Sequence, residues 1–332
     1  MRGEGNLILL FLKKLIMKFE LISNITDYSS IYQLWNEEYG YIFPITEELF
    51  VRNLENAFDE ASLVAIEDEK IVGFIIGKIW QEDFIVPSYD KYAWISLMFV
   101  AKKYRNRGIG SALLNKVESI FIREGKSLIN LGKDCHTYFP GLPVDLKAFL
   151  PWFEKRGYIY THSSFDLIRR DKNLLPIMNP NYVFRTARIS DKENLIAFMD
   201  RIWPGRWKEE MVEYFNCGGD GSEYLIGLNN KEEICAFAKV TNPETKEKLI
   251  SYSLTWRKRF ERLGGIGPLG VDPNYRGLNL GYDLVASAVN YLNTNYHVSD
   301  IIIDWTGLLE FYRHMGFEVW KSYYDLEKKL KD

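Results

Sequence analysis

One short glycine-rich turn occurs twice in this chain, each time between a run that reads as a strand and a run that reads as a helix. In the first copy, Leu97-Met98-Phe99-Val100 leads through Ala101 to Tyr104 into Arg105-Asn106-Arg107-Gly108-Ile109-Gly110. In the second, Leu269-Gly270-Val271 leads through Asp272 to Tyr275 into Arg276-Gly277-Leu278-Asn279-Leu280-Gly281. A turn that enters a helix presents free main-chain N–H groups, and the helix dipole adds to their pull on an anion. Glycine lets the backbone close on a pyrophosphate with no Cβ in the way. The repeat therefore predicts a phosphate-bearing ligand, bound at two places.

The elements around each turn follow one order. In the first half, Phe19 to Ile22 reads as a strand, Ile31, Leu34 and Trp35 mark a helix, and Thr46-Glu47-Glu48-Leu49 reads as a capped second helix. Leu63 to Ile66 and Ile71 to Ile79 form a hairpin about Asp68-Glu69-Lys70, and Trp94 to Val100 runs into the turn. Ile109, Leu113, Val117, Ile120 and Phe121 share one helix face; Leu128 to Leu131 is a fifth strand, and a short helix ends at Arg156-Gly157. The second half repeats the series. It has a strand at Tyr182 to Thr186, helices at Leu195 to Ile202 and Met211 to Phe215, and a hairpin of Tyr224 to Leu228 with Ile234 to Val240. Gly264 to Val271 is the strand before the turn, Leu280, Leu284, Val285, Ala288, Val289 and Leu292 trace a helical stripe, and Ile301 to Ile303 is a buried strand before a helix from Leu308 to His314. Asp171 to Asn181, with Pro176 and Pro180, reads as a linker. The reading is a short extension over 1–16, a first domain over 17–171 and a second over 172–332.

A length of 332 residues suits two such domains, and 47% hydrophobic with 26% charged residues suits soluble ones. A net charge of −3 gives no reason to expect nucleic acid or an anionic membrane as partner. Cys135, Cys217 and Cys235 make an odd set without a CxxC pair, so neither a disulfide framework nor a zinc site is indicated and no metal is expected. The apolar run Leu7 to Leu12 is far shorter than the ~20 residues that span a bilayer, and no cleavage site follows it. Residues 1–16 are expected to form a frayed helix on a cytoplasmic protein.

The strand, the Arg-x-x-Gly-x-Gly turn and the amphipathic helix together resemble motif A of the GNAT acetyltransferase superfamily. Phe311-Tyr312-Arg313-His314-Met315-Gly316-Phe317 resembles its motif B, and Trp152-Phe153-Glu154-Lys155-Arg156-Gly157-Tyr158 is the first-half counterpart. The resemblance implies an α+β fold of two tandem acyl-CoA N-acyltransferase domains, each a mixed, mostly antiparallel central sheet flanked by helices. It implies acetyl-CoA as cosubstrate, with its pyrophosphate on the turn and its pantetheine arm along the preceding strand. Carried over, the cofactor-binding positions are Arg105, Asn106, Arg107, Gly108, Ile109 and Gly110 with Phe99 and Val100. In the second domain they are Arg276, Gly277, Leu278, Asn279, Leu280 and Gly281 with Leu269 and Val271.

The copies depart from the pattern in different places. Phe153 stands where motif B has tyrosine, and Asn279 stands at the middle glycine. Asparagine tolerates left-handed backbone angles, whereas phenyl cannot replace phenol in proton transfer. Domain two is therefore expected to be the catalytic half, with domain one binding coenzyme A or structural. Tyr312 would protonate the leaving thiolate, a phenol of pKa ~10 suiting a thiol of pKa ~8.5; the other reading is an ordinary buried aromatic. Asp304 is the best candidate general base, and a core aspartate satisfied by main-chain amides is its alternative. The expected acceptor is a small-molecule amine, with no nucleic acid or membrane partner and a monomer or homodimer as the assembly. A non-catalytic acyl-CoA-binding regulator is the alternative; a nucleotide enzyme is weaker, because no complete P-loop is present: Ile120 stands where Gly125-Lys126-Ser127 would need the first glycine of Gly-x-x-x-x-Gly-Lys-Ser/Thr. The connection from Gly110 to Gly157 is longer than that from Gly281 to Gly316 and carries Tyr138-Phe139-Pro140-Gly141-Leu142-Pro143, a lid or a packing element.

Overall fold

Helices and strands form where the two periodicities place them. The computed structural model describes residues 17–82, 86–87, 89–134, 136–249 and 256–330. The frayed helix expected over 1–16, and Cys135, lie outside the described residues. The chain divides into two units. One is Met1–Gln81 with Tyr89–Ile129 and Lys329–Asp332; the other is Glu82–Ser88 with Asn130–Lys328.

The first unit runs β1 (Lys18–Leu21), α1 (Ser29–Tyr39), α2 (Glu47–Glu55), β2 (Leu63–Glu67), β3 (Lys70–Ile79), β4 (Tyr92–Val100) and α3 (Ile109–Arg123), and β5 (Leu128–Leu131) spans the division between units. Strands β1 to β4 pair in sequence order, all antiparallel. Thr46 caps α2 by accepting from the Leu49 N–H at 3.1 Å, as the capping pattern predicts. Asp68 and Glu69 take positive φ in the β2–β3 turn. Phe50, Phe74 and Phe99 fill the core under α1 and α2, with the Phe50 and Phe74 ring centroids 6.2 Å apart. Helix α3 buries Leu113, Leu114, Val117 and Phe121.

The second unit contains β6 (Leu142–Pro143), α4 (Leu150–Glu154), β7 (Ile159–Arg169), β8 (Val183–Thr186), α5 (Lys192–Ile202), α6 (Arg206–Asn216), β9 (Tyr224–Leu228) and β10 (Ile234–Thr241). It continues through β11 (Leu263–Val271), α7 (Leu280–Tyr296), β12 (Asp300–Thr306), α8 (Leu309–Arg313) and β13 (Glu318–Lys329). Its sheet order is β13-β7-β12-β11-β10-β9-β8, with β6 on β13. The β11–β12 pair is parallel, and β8–β9, β9–β10, β10–β11, β7–β12, β7–β13 and β6–β13 are antiparallel, so the α+β reading stands. Leu284, Val285, Ala288, Val289 and Leu292 of α7 pack with Ile301, Ile303 and Leu167. Each such side chain contributes about 1.5–3 kcal/mol when fully buried. Helices α5 and α6 cover Tyr224, Ile226 and Phe237 through Leu195, Phe198, Met211 and Tyr214.

Three features exceed the sequence reading. Strand β7, which belongs to the first repeat in sequence, pairs with β12 through Ile302↔Ile168 and with β13 through Ser322↔Phe165, inside the second unit. Residues 171–181 form no helix or strand but are pinned to α7. Asp283 accepts from the N–H groups of Met178 at 2.6 Å and Asn179 at 2.9 Å, while Asn290 exchanges two bonds with Leu175. The aromatic loop is a packing element: Tyr138 and Phe139 are buried, β6 pairs with β13, and the Phe139 ring stacks on Tyr323.

Candidate active site

Both turns take the same backbone course with different residues. In the first, Asn106 (φ 61°) and Gly108 (φ 84°) are left-handed; in the second, Gly277 (φ 81°) and Asn279 (φ 62°) are. Glycine and asparagine exchange the same two positions, because they are the residues that reach this region at least cost. Among the described residues, the N–H groups of Arg107, Gly108, Ile109 and Gly110 have no protein acceptor, nor do those of Leu278, Asn279, Leu280 and Gly281. A Cβ added at Gly108 or Gly277 would meet nothing within 4 Å, so each turn opens outward. Four adjacent free donors at the start of a 15- or 17-residue helix fit a pyrophosphate.

The arginines differ. Arg105 donates from Nε to the Val100 carbonyl at 2.7 Å and pairs with Glu38 at 2.5 Å. Arg107 pairs with the buried Glu67. Arg276 is exposed and makes no ion pair among the described residues. Phe99 is buried among Trp35, Tyr39 and Phe74, so whatever it offers a ligand comes from its main chain. Val100, Leu269 and Val271 are half-buried. The strand before each turn carries a bulge: β4 shifts register opposite Ile76/Gly77, and β11 opposite Ala238/Val240. The β11 bulge includes Pro268, which has no N–H, whereas β4 has Leu97 at the corresponding place.

Tyr312 lies on α8 with its ring against Phe311 and Phe317. Burial pushes its phenol up to about 12; a hydrogen bond with Thr306 acts downward and the charge of Asp304 upward. Phe153 is buried against Trp152 and Tyr158 and offers no hydroxyl. Asp304 is buried near the end of β12. The next residue, Trp305, takes φ 44° and donates its N–H to Asp166 at 3.1 Å. Asp166 also accepts from Trp256 Nε1 at 3.1 Å and from the Tyr323 hydroxyl at 2.6 Å. Burial raises the Asp166 carboxyl above its ordinary value, against the pull of those three bonds. Arg206 of α6 lies 3.9 Å over the Trp305 ring and 3.4 Å from the buried Glu210. Asp166, Tyr323, Trp256 and Glu210 were not singled out in the sequence. The one local signal is that Asp166-Leu167 recurs as Asp325-Leu326, the same number of residues after Gly157 and Gly316.

The model of the acetyltransferase (GNAT) family matches residues 28–138 and 192–317, more than half of the chain. The chain belongs to the GNAT acetyltransferase family. It is thus an acetyl-CoA-dependent N-acetyltransferase with two family segments in tandem. Among solved structures it is similar to the glucosamine N-acetyltransferase region of a fungal multi-domain β-N-acetylglucosaminidase, with TM-score 0.83 and 22% identity, covering 95% of this chain and 38% of that one. It is also similar to a GCN5-related N-acetyltransferase from Sphaerobacter thermophilus, with TM-score 0.68 and 13% identity over 95% of this chain and 96% of the other. A tandem GNAT protein of the clavulanic acid biosynthesis pathway matches with TM-score 0.65 and 13% identity over 96% and 100%. These likenesses are of fold. Comparison with curated protein sequences finds no match. Among the described residues of this GNAT protein, no helix is long and apolar enough to cross a membrane.

Proposed function

We propose that the second repeat, residues 172–332, carries the chemistry and that the first, residues 17–171, binds coenzyme A or serves structure. The observation that carries this reading is the buried Tyr312 phenol on α8, which the first repeat replaces by Phe153, in the repeat whose turn is also open. Acetyl-CoA supplies the acetyl group as a thioester. The N–H groups of Leu278 to Gly281 hold its pyrophosphate, with Arg276 free to add charge, and Leu269 and Val271 flank its arm. Gly267 or Leu269 supplies the main-chain donor that polarises the thioester carbonyl, since Pro268 has none. As the acceptor nitrogen bonds to the carbonyl carbon and the carbon–sulfur bond breaks, one nitrogen proton passes to Asp304 and the Tyr312 proton passes to sulfur. The raised phenol keeps that proton in place at neutral pH. In the first repeat, Arg105 to Gly110 with the main chain of Phe99 and Val100 offers a second cradle.

The acceptor is an amine, and the similarity to a glucosamine N-acetyltransferase region puts amino sugars first among those to assay. The test is free thiol released from acetyl-CoA across ethanolamine, glucosamine, lysine, spermidine and tyramine. Amine-dependent release that Tyr312→Phe lowers steeply supports the reading. Binding of acetyl-CoA with no release for any amine would favour the regulator instead.

A further inference from the structure

The linker over 171–181 is moored to α7, and its last residues are tied to the second turn. The N–H groups of Met178 and Asn179 donate to Asp283 at 2.6 and 2.9 Å, and the Asn179 side-chain amide donates to the Leu278 carbonyl at 3.4 Å. Just past the linker, the Tyr182 ring meets the Tyr275 ring edge-on, with centroids 6.2 Å apart. Asp283 is buried in the first turn of α7, two residues after Gly281. Two residues after Gly110, the first repeat has Ala112, which offers no acceptor to a main-chain N–H. This mooring therefore belongs to the second repeat.

It brings apolar side chains to the open turn. Ile177 is 44% exposed, Met178 58% and Leu278 43%. Single exposed apolar residues are ordinary, but these three lie on two segments bonded to each other, beside four main-chain donors without a protein acceptor. Arg276, the one cation of the turn, is exposed as well. A coenzyme A whose pyrophosphate lies on those donors has two arms to place. Its thioester arm has to reach Tyr312 on α8, and Gly281 faces that helix, since a Cβ there would sit 3.6 Å from the Phe311 ring. Asp283 lies roughly 200° further round α7, so the linker flanks the turn on the opposite side. The nucleotide arm, leaving away from the thioester, meets the linker. An adenine ring has apolar faces against which a thioether packs well, and a guanidinium bonds phosphate oxygens.

We propose that the linker joining the repeats forms the nucleotide subsite of the second-repeat cofactor site, with Ile177, Met178 and Leu278 under the adenine and Arg276 on the ribose phosphate. The proposal rests on acetyl-CoA occupying the second turn. It adds the part of the chain that tells the whole cofactor from its phosphopantetheine fragment, and it gives the linker a role in choosing the acetyl donor.

Ile177→Ser/Met178→Ser in the full chain removes apolar surface from exposed positions. With the best acceptor of the amine panel, its KM for acetyl-CoA is expected to rise about tenfold. Its KM for S-acetyl-4′-phosphopantetheine, which lacks the adenosine, is expected to match the wild type. Leu174→Ser, exposed on the same linker but next to the Leu175–Asn290 bonds two helical turns away, is expected to shift neither value. Where Tyr312→Phe lowers turnover steeply, equal rises for both donors, or no rise for acetyl-CoA, overturn the proposal. Where Tyr312→Phe keeps wild-type turnover, or no amine reacts, labelling decides. The 8-azidoadenosine analogue of coenzyme A, photolysed with the wild type, is expected to mark residues 174–182 or 275–278, and excess coenzyme A to abolish the mark. That mark beside wild-type turnover in Tyr312→Phe removes the catalytic assignment and leaves the subsite. Marking only elsewhere, or no mark that coenzyme A displaces, overturns the subsite whatever the assay gives.

Discussion

The turn at Arg105–Gly110 and the turn at Arg276–Gly281 have one backbone and two side-chain economies. In the first, both arginines are committed to the protein, Arg105 to Glu38 and the Val100 carbonyl, Arg107 to Glu67. In the second, Arg276 projects freely. In the proposed function anion binding rests on main-chain N–H groups, which both turns leave without a protein acceptor, and the arginines differ: two braces in one copy, an available charge in the other. The same divergence runs on into the strands and motif B. The first repeat keeps an N–H at its bulge but has Phe153; the second has Pro268 but keeps Tyr312.

The sharpest way to break this comparison is at the phenol. Tyr312→Phe is expected to lower kcat by about 10²–10⁴ with little change in acetyl-CoA KM, whereas Phe153→Tyr adds little. Because Tyr312 is raised to about 12, it stays protonated through the range where an ordinary tyrosine, near ~10, ionises. Steady-state rates followed upward in pH are therefore expected to show no loss from this group until the neighbourhood of 12; an alkaline limb near 10 that disappears in Tyr312→Phe would contradict the assignment of its environment.

A smaller effect separates the arginines. Arg105→Met is expected to cost about 1–2 kcal/mol in urea unfolding, since it strips a bonded carbonyl and a half-buried carboxylate of their partner. Arg276→Met is expected to change stability by less than about 0.5 kcal/mol, while weakening coenzyme A binding at low salt more than at high salt. Equal losses of stability in the two variants would erase the distinction.

Much of this was legible in the chain. The turns, the hairpins, the α7 stripe and the Thr46 cap follow from local spacing, and the structure places them within a few residues of the expected bounds. Strands β7 and β13 were not read. Tyr160 to Ser164 is polar and largely exposed, so it shows none of the alternation that marks a strand, and its partners lie far away in sequence. For the same reason the surroundings of Asp166 were invisible: its three donors come from Trp256, Trp305 and Tyr323, and no local pattern predicts such convergence. Pro268 was in plain view, but its meaning depends on the bulge, which is a matter of register.

The gentlest test exchanges the two left-handed residues. Gly108→Asn and Asn279→Gly should each leave stability within about 0.5 kcal/mol and coenzyme A stoichiometry unchanged, because each copy already shows the other's residue in that conformation. Gly108→Val or Asn279→Val should cost about 1–2 kcal/mol, measurable by calorimetry alongside the loss of a binding site. A tolerated valine would mean that the turn does not need its left-handed course.

Strand β7 also sets a problem of timing during synthesis. It leaves the ribosome before β12 and β13, the strands that flank it, have been made. At about 5–20 residues per second, the wait between Arg169 and Asp300 is on the order of 10 s, with both hydrogen-bonding edges of β7 open to any passing strand. The polar run Thr161-His162-Ser163-Ser164 gives a nascent chain little to stick with, whereas Phe165, Leu167 and Ile168 behind it are apolar. A segment left open on both edges during synthesis is thus one that ends up paired on both, between β12 and β13.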